Sequence, residues 1–315
     1  MTVISKVEKP GRLVIKKKPS SKLGKFWAKN KTGYLFLSPF LILLIIFVIA
    51  PVFISFGLSL FNYNMLQPPK WLGLDNFKLL FMDDDVFLIA LKNTFIFALF
   101  IGPIGYAMSF LMAWILDSLR FKNAFALAFY VPSITSGVAM TVVWQYFFNN
   151  DRYGLVNNML LSIGAIFEPI LWNQHPTFIL PVVVLISIWM SMGTGFLVFL
   201  AGLQSMPTEL YEQGKIDGIA NKFQELFYIT LPLMKPQLLF GAITSIVNSF
   251  GVFDIAMQFA GFPSPNYAAH TIVAHLYDYA FVRFQMGYAA AIAVTLFAIT
   301  FTLGQVCVRL FRSDD

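Results

Sequence analysis

The residues able to do chemistry are concentrated in a polar island, residues 206–223. It opens at Met206-Pro-Thr-Glu209, carries Glu212, Lys215 and Asp217, and is followed by Ile229-Thr-Leu-Pro232. Long apolar segments flank it on both sides, so these charges must lie in water or against another protein, because leaving them unpaired in hydrocarbon is expensive. The island is too long for a turn and carries its own helix punctuation, which makes it a docking element in expectation. A second group is a stripe of small and polar residues inside apolar runs. Gly241, Thr244, Ser245, Asn248 and Gly251 fall at three- and four-residue spacing, and Ser187, Ser191 and Thr194 share a face beside Trp189 and Met190. Such groups either hydrogen-bond a polar solute at mid-membrane or hold helices together, and spacing alone leaves both readings open. Catalytic machinery is missing. No Gly-x-x-x-x-Gly-Lys-Ser/Thr phosphate cradle exists, and no Ser-His-Asp arrangement can be argued. His175, His270 and His275 read as far apart or outside the bilayer, with no cysteine cluster to complete a metal site. The chain is not expected to be an enzyme by itself, and no cofactor is expected on it.

The elements that position these residues are read from hydropathy. Apolar residues make up 58% of the chain and charged residues 12%, and mean hydropathy is +0.71. Soluble domains carry roughly a quarter charged residues, so the chain is membrane protein. Six apolar runs reach the roughly 20 residues that a spanning helix needs: 34–61, 93–116, 124–148, 177–203, 236–260 and 285–310. The 35 phenylalanines fit lipid-facing surface. The net charge of +6 does not indicate nucleic acid, because ten basic residues lie in the first 33, and the remainder holds twelve basic against fifteen acidic residues. This tail, with Lys16-Lys-Lys18, reads as a topological anchor at anionic lipid. With both termini inside, the inner connections and tail hold seventeen Lys and Arg and the outer ones five. The expected architecture is all-α and polytopic, with six transmembrane helices, N-in and C-in. Residues 1–33 form the basic cytoplasmic tail, and 34–311 the transmembrane domain. The cytoplasmic loop covers about 204–235. Asn248, some 13 residues beyond Lys235, lies roughly 20 Å into the membrane at 1.5 Å per residue. The one cysteine, Cys307, excludes an intramolecular disulfide.

Within the island, Pro207 suits a first helical turn, and Glu209 and Glu212 sit where a helix dipole favours acids. Gly214 and Gly218 weaken helical continuity. Asp217 is expected to cap a second short helix carrying Ile219, Phe223, Leu226 and Phe227. The loop resembles the signature of binding-protein-dependent ABC importer permeases, which reads Glu-Ala-Ala, a short gap, Gly, and further on Ile-x-Leu-Pro. Here it reads Glu212-Gln213-Gly214, Lys215-Ile216-Asp217, Gly218 and Ile229-Thr230-Leu231-Pro232. It departs at Gln213 and Gly214, where the family has alanines, and at Ile219, where Ala commonly follows. Asn93-Thr94, Tyr130-Val-Pro132, Asn150-Asp-Arg-Tyr-Gly154, Ala201-Gly-Leu-Gln-Ser205, Phe250-Gly-Val-Phe-Asp254 and Met286-Gly-Tyr-Ala-Ala290 extend the likeness over roughly residues 35–311, nearest to maltose-type sugar permeases.

The resemblance implies a type I ABC importer permease fold in a bacterial or archaeal plasma or inner membrane. It implies a second homologous permease subunit, two ABC ATPase subunits that hold ATP and Mg, and an extracytoplasmic solute-binding protein that delivers a sugar. It assigns ATPase coupling to Glu209, Glu212, Gly214, Asp217, Gly218, Phe223, Leu231 and Pro232. The substrate path then falls on Trp189, Ser191, Thr194, Ser245, Asn248 and Gly251. Two alternatives remain. A glycerol phosphate or similar solute would call for a central Arg or Lys in the spans, and an ATP-independent secondary transporter would call for intramembrane carboxylates and repeat symmetry.

Overall fold

The computed structural model describes residues 22–119 and 122–311, with the backbone alone for 22–30, 122, 123 and 194. Residues 1–21 of the expected basic tail lie outside the described residues, as do Arg120 and Arg312. The described chain falls into two units, one ending at Ile54 and one beginning at Ser55. The first unit carries α1 (Lys22–Leu44), a π turn at Ile45–Ile49 and the start of α2 (Ala50–Leu58). This helix reaches back to Lys22, into the stretch expected to be tail, and the apolar window of Lys31–Leu58 has no buried residue.

The second unit begins with a two-residue antiparallel pair, β1 (Phe61–Asn62) with β2 (Lys70–Trp71), and the single turn α3 (Asp75–Lys78). α4 (Asp85–Asp117) starts eight residues before the expected span, because Asp84 caps it by accepting from Phe87 N at 2.9 Å. The third span is broken. α5 (Lys122–Ile134) and α6 (Gly137–Phe147) meet at 99°. Pro132 lacks an N–H and its ring strains the preceding turn. Ser133 and Thr135 hydroxyls then bond back to Tyr130 O and Val131 O, both at 2.8 Å. Those side-chain bonds compete with the helix ladder, and Ser136 leaves it with ψ 129. Among the described residues there are therefore five long continuous apolar helices, or six spans when the bent pair counts as one.

The short α7 (Leu155–Ser162) precedes α8 (Pro176–Gln204), where Pro176 occupies the first helical position. The polar island folds as α9 (Thr208–Ile216), α10 (Lys222–Glu225) and α11 (Leu231–Leu233). α12 (Lys235–Phe250) ends before Gly251, and α13 (Asp254–Ala260) resumes after a break at 251–253. α14 (Ile272–Tyr277) and α15 (Met286–Phe311) complete the chain. α4 and α8 pack at the centre through small residues. A Cβ on Gly105 would lie 2.5 Å from Ser191 Oγ, and Ser109 Oγ donates to Met192 O at 3.1 Å. The phenylalanines are not all lipid-facing, since Phe87, Phe97, Phe196, Phe199 and Phe259 are fully buried. One core joins Phe97, Ile101, Ile179, Val183, Ile186 and Phe259. Another runs from Phe110, Phe196 and Phe199 to Leu226 and Met234, anchoring the island to the spans.

Candidate functional site

The polar stripe converges on a cavity of about 310 Å³ whose walls include Ser133, Gly137, Ser187, Ser191, Asn248, Gly251 and Asp254. Two discontinuities meet there. Ser133 and Gly137 flank the break in the third span, and Gly251 to Phe253 form the break in the fifth. Irregular backbone at membrane depth is tolerated where it is buried in protein or lines a cavity. Toward the inner half of α4, α8 and α12, the space narrows to about 30 Å³, lined by Tyr106, Ser109, Phe199, Gly241 and Thr244. Ser191 and Asn248 line both spaces. Beside the narrow part, Phe199 is packed edge-on by Tyr106 at 5.4 Å and Phe110 at 5.6 Å.

Hydrogen-bond partners separate the stripe into two kinds of residue. Ser245 Oγ donates to Gly102 O on α4 at 2.9 Å, which makes it a helix-to-helix tie. Ser191 Oγ and Thr244 Oγ1 bond back within their own helices, to Ile188 O at 2.9 Å and Phe240 O at 2.8 Å. Asn248 is exposed, and its amide has no partner among the described residues. Ser187 is buried, with an Oγ that meets no hydrogen-bond partner among the described residues. Trp189 is not brought to this cavity. It stands edge-on against Trp144 at 5.3 Å and lines a separate space of about 110 Å³ with Phe129 and Pro132. Side chains two apart on a helix point about 200° apart, so Trp189 cannot share the face of Ser187 and Ser191. The side chain of Thr194 lies outside the described residues.

The island is a helix, a tight bend and a second helix. Glu209 and Glu212 are exposed on α9, and Asp217 is its C-terminal cap residue. The expected capping role of Asp217 on the second helix does not hold. Gly218 takes φ +96 and ends α9, a conformation that glycine adopts without strain. The next helix therefore starts later, and Asn221 caps it by accepting from Gln224 N at 2.8 Å. Gln224 Oε1 returns the bond from Ala220 N at 2.8 Å. Gly214 is buried, and a Cβ there would lie 2.6 Å from Ile229 Cδ1 and 3.1 Å from Ile219 Cδ1. The departures at Gly214 and Ile219 are thus complementary, one residue smaller and its neighbour larger. The loop is tied down by Tyr211, whose hydroxyl lies 3.0 Å from that of Thr230, and by Phe223 against Trp114 at 5.6 Å. Leu231 and Pro232 form the turn α11 that leads into α12. Ile216, Phe223, Phe227 and Tyr228 expose large apolar surfaces.

Two of the three histidines are brought together. His270 and His275 are buried, with ring nitrogens 3.4 Å apart. No group of His, Cys, Asp and Glu able to hold a metal ion occurs among the described residues.

Residues 105–309 match the family described as binding-protein-dependent transport system inner membrane component. The chain is 36% identical to the probable ABC transporter permease protein YesP of Bacillus subtilis (strain 168) over 291 residues, covering 91% of each. It is 31% identical to the arabinooligosaccharides transport system permease protein AraP of the same organism over 292 residues, again 91% of each. Among solved structures it resembles a chain of the bacterial alginate ABC transporter in complex with alginate pentasaccharide-bound periplasmic protein. That match has a TM-score of 0.77 and 22% identity, and covers 93% of this chain and 98% of the other.

Proposed function

This chain belongs to the family of binding-protein-dependent transport system inner membrane components, and from that premise we propose that it forms half of the membrane path of an ATP-driven carbohydrate importer. The family is one of transporter subunits, embedded in the inner membrane. The observation that carries the proposal is the cavity at the two span breaks, where the exposed Asn248 amide has no partner among the described residues and the hydroxyls of Ser133 and Ser191 share the wall. An amide and a hydroxyl each both donate and accept, which matches sugar hydroxyls. No Lys or Arg lines either space, which favours a neutral sugar over a phosphorylated solute. The arabinooligosaccharide permease among its relatives supports a saccharide cargo, and a periplasmic protein accompanies the alginate transporter of similar fold.

In this reading a solute-binding protein delivers the sugar outside, and a second permease subunit supplies the other half of the path. ATP and Mg are held by two ATPase subunits beneath. The island, on the side rich in Lys and Arg, carries the contact to them through Glu209, Glu212 and the exposed face of Ile216, Phe223 and Phe227. Residues 1–33 are then the cytoplasmic tail. The breaks at Ser136 and at Gly251 to Phe253 give the cavity wall places to flex, with α6 and α13 tied by a bond from Gln145 Nε2 to Gln258 O. Purification of the intact importer tests this directly. An ATPase, a second permease and a binding protein loaded with a saccharide should copurify with the chain. A binding protein loaded with a phosphorylated solute, or transport persisting without any ATPase, would overturn it.

A further inference from the structure

One carboxylate outside the spans gathers bonds from several elements. Asp84 accepts from Phe87 N on α4 at 2.9 Å and from the Tyr288 hydroxyl on α15 at 2.6 Å. His275 on α14 lies 2.9 Å from it through Nε2, and the Tyr279 hydroxyl reaches it at 3.4 Å. The carboxylate fixes the proton of His275 on Nε2, so Nδ1 accepts from His270 Nε2. The segment bearing these histidines is stapled on its other side as well. Asn93 Nδ2 donates to Tyr267 O at 2.8 Å and His270 O at 3.0 Å, and Ile272 N donates to Thr94 Oγ1 at 2.9 Å. Thr271 Oγ1 then donates to Val252 O at 2.9 Å, and Val252 is a wall of the 310 Å³ cavity at the break in the fifth span. Phe253, its neighbour in the break, packs on Tyr277 at 5.1 Å.

We propose that Asp84, His275 and His270 form a latch that positions residues 267–275 against the break in the fifth span, and that protonation of the histidine pair releases it. The inference rests on reading the cavity as the transport path, but the latch itself is independent of what passes through. Another proton on either ring is costly. On His275 Nδ1 it sets two N–H groups face to face. On His270 it puts a charge on a buried ring, which loses hydration. Burial, and secondarily His275, push His270 down to about 4 from 6.5. Burial also lowers His275 by more than Asp84 raises it. The other charged or titratable groups facing the pair are Asp278, Arg283, Tyr279 and Tyr288. Arg283 is held by Asp278 at 2.8 Å. Burial pushes the Asp84 carboxyl up, yet Tyr288, the Phe87 N–H and His275 outweigh it and leave Asp84 below the usual carboxylate range. Asp84 therefore stays charged while the histidines titrate. A histidine whose folded pKa is depressed stabilises the closed latch above its free pKa and loses that contribution as pH falls toward the folded value. The window is between about 6.5 and about 4.

Hydrogen exchange on the intact importer in lipid nanodiscs tests the latch. His270→Gln keeps an N–H donor for His275 and cannot be protonated. At pH 7.5 wild type and His270→Gln should protect residues 267–275 alike. At pH 5 the wild type should exchange roughly tenfold faster than the variant measured at the same pH. Asp84→Asn should exchange fast at both. Where His270→Gln itself opens at pH 7.5, the wild-type ratio of exchange in 267–275 to that in α15 decides, since intrinsic rates cancel. A ratio unchanged between pH 7.5 and 5, or equal acceleration in wild type and His270→Gln, overturns the proposal. Saccharide uptake by the same importer reconstituted in proteoliposomes reports on the path separately.

Discussion

Replacing Ser187 by Ala should move stability and transport in opposite directions, and the sign of both follows from one hydroxyl. Ser187 is buried, and its Oγ has no protein partner in a cavity of about 310 Å³. A buried hydroxyl without a partner costs roughly 1–3 kcal/mol. The Oγ is also closed off from solvent, so Ser187→Ala should stabilise the resting importer by about 1–3 kcal/mol. If the hydroxyl instead serves the sugar, its loss removes one neutral hydrogen bond, worth about 1 kcal/mol or about fivefold in affinity. Asn248→Leu should cost more, because an amide offers two donors and an acceptor, while basal ATP hydrolysis by the assembled complex persists. The assay pairs thermal melting of the solubilised complex with uptake, into proteoliposomes, of the saccharide carried by the copurified binding protein. A raised or unchanged melting temperature with about fivefold weaker uptake is expected for Ser187→Ala. A lowered melting temperature with unchanged uptake would make Ser187 a packing residue and refute the assignment.

Three further outcomes are expected. Glu212→Ala, on an exposed position where folding changes little, should abolish transport while expression stays normal. Gly218→Pro should do the same, because proline cannot adopt the φ of +96 found there, and cysteines at Ile216 or Asn221 should cross-link to the ATPase; normal import by both variants would remove the docking role. In a Cys307→Ala background, cysteines at Tyr153 and Phe167, which are 87% and 93% exposed, should react with an impermeant reagent from outside intact cells, and one at Lys18 should not. The reverse pattern would invert the topology; Asp84, half-buried and held in its hydrogen-bond network, is no reporter for it. Gly214→Ala gains about 1 kcal/mol of helix propensity but drives a methyl toward Ile229 and Ile219, so it should be close to neutral alone, and Ile219→Ala should cost less in its presence than by itself. Additive effects in that double-mutant cycle, read by thermal melting, would show that the two positions do not compensate.

Hydropathy made the spans legible, because length and apolarity are properties of a run of residues. Direction is not such a property, so 124–148 read as one crossing although Pro132 and the Ser136-Gly137 pair stood inside it. The start of α4 was hidden by Lys92 and Asn93, which look like loop residues. Asn93 lies within the helix because its amide is consumed by Tyr267 O and His270 O, nearly two hundred positions later. Nothing local announces a bond of that range. Trp189 was a different kind of miss, since its two-residue offset from Ser187 and Ser191 already placed it on the opposite face.

The island was more legible because its folding is local. Gly218, Asn221 and Gln224 specify the bend and the cap within seven residues. The substrate stripe was legible as a stripe only. Ser245 and Asn248 are one helical turn apart and equally polar, yet the first spends its hydroxyl on Gly102 O while the second faces the cavity with its amide unused. Spacing cannot distinguish them, because the difference lies in whether another helix presents a carbonyl at that height. A polar residue in a span becomes a candidate for solute contact when the fold leaves it without a partner, and that condition is set by tertiary packing.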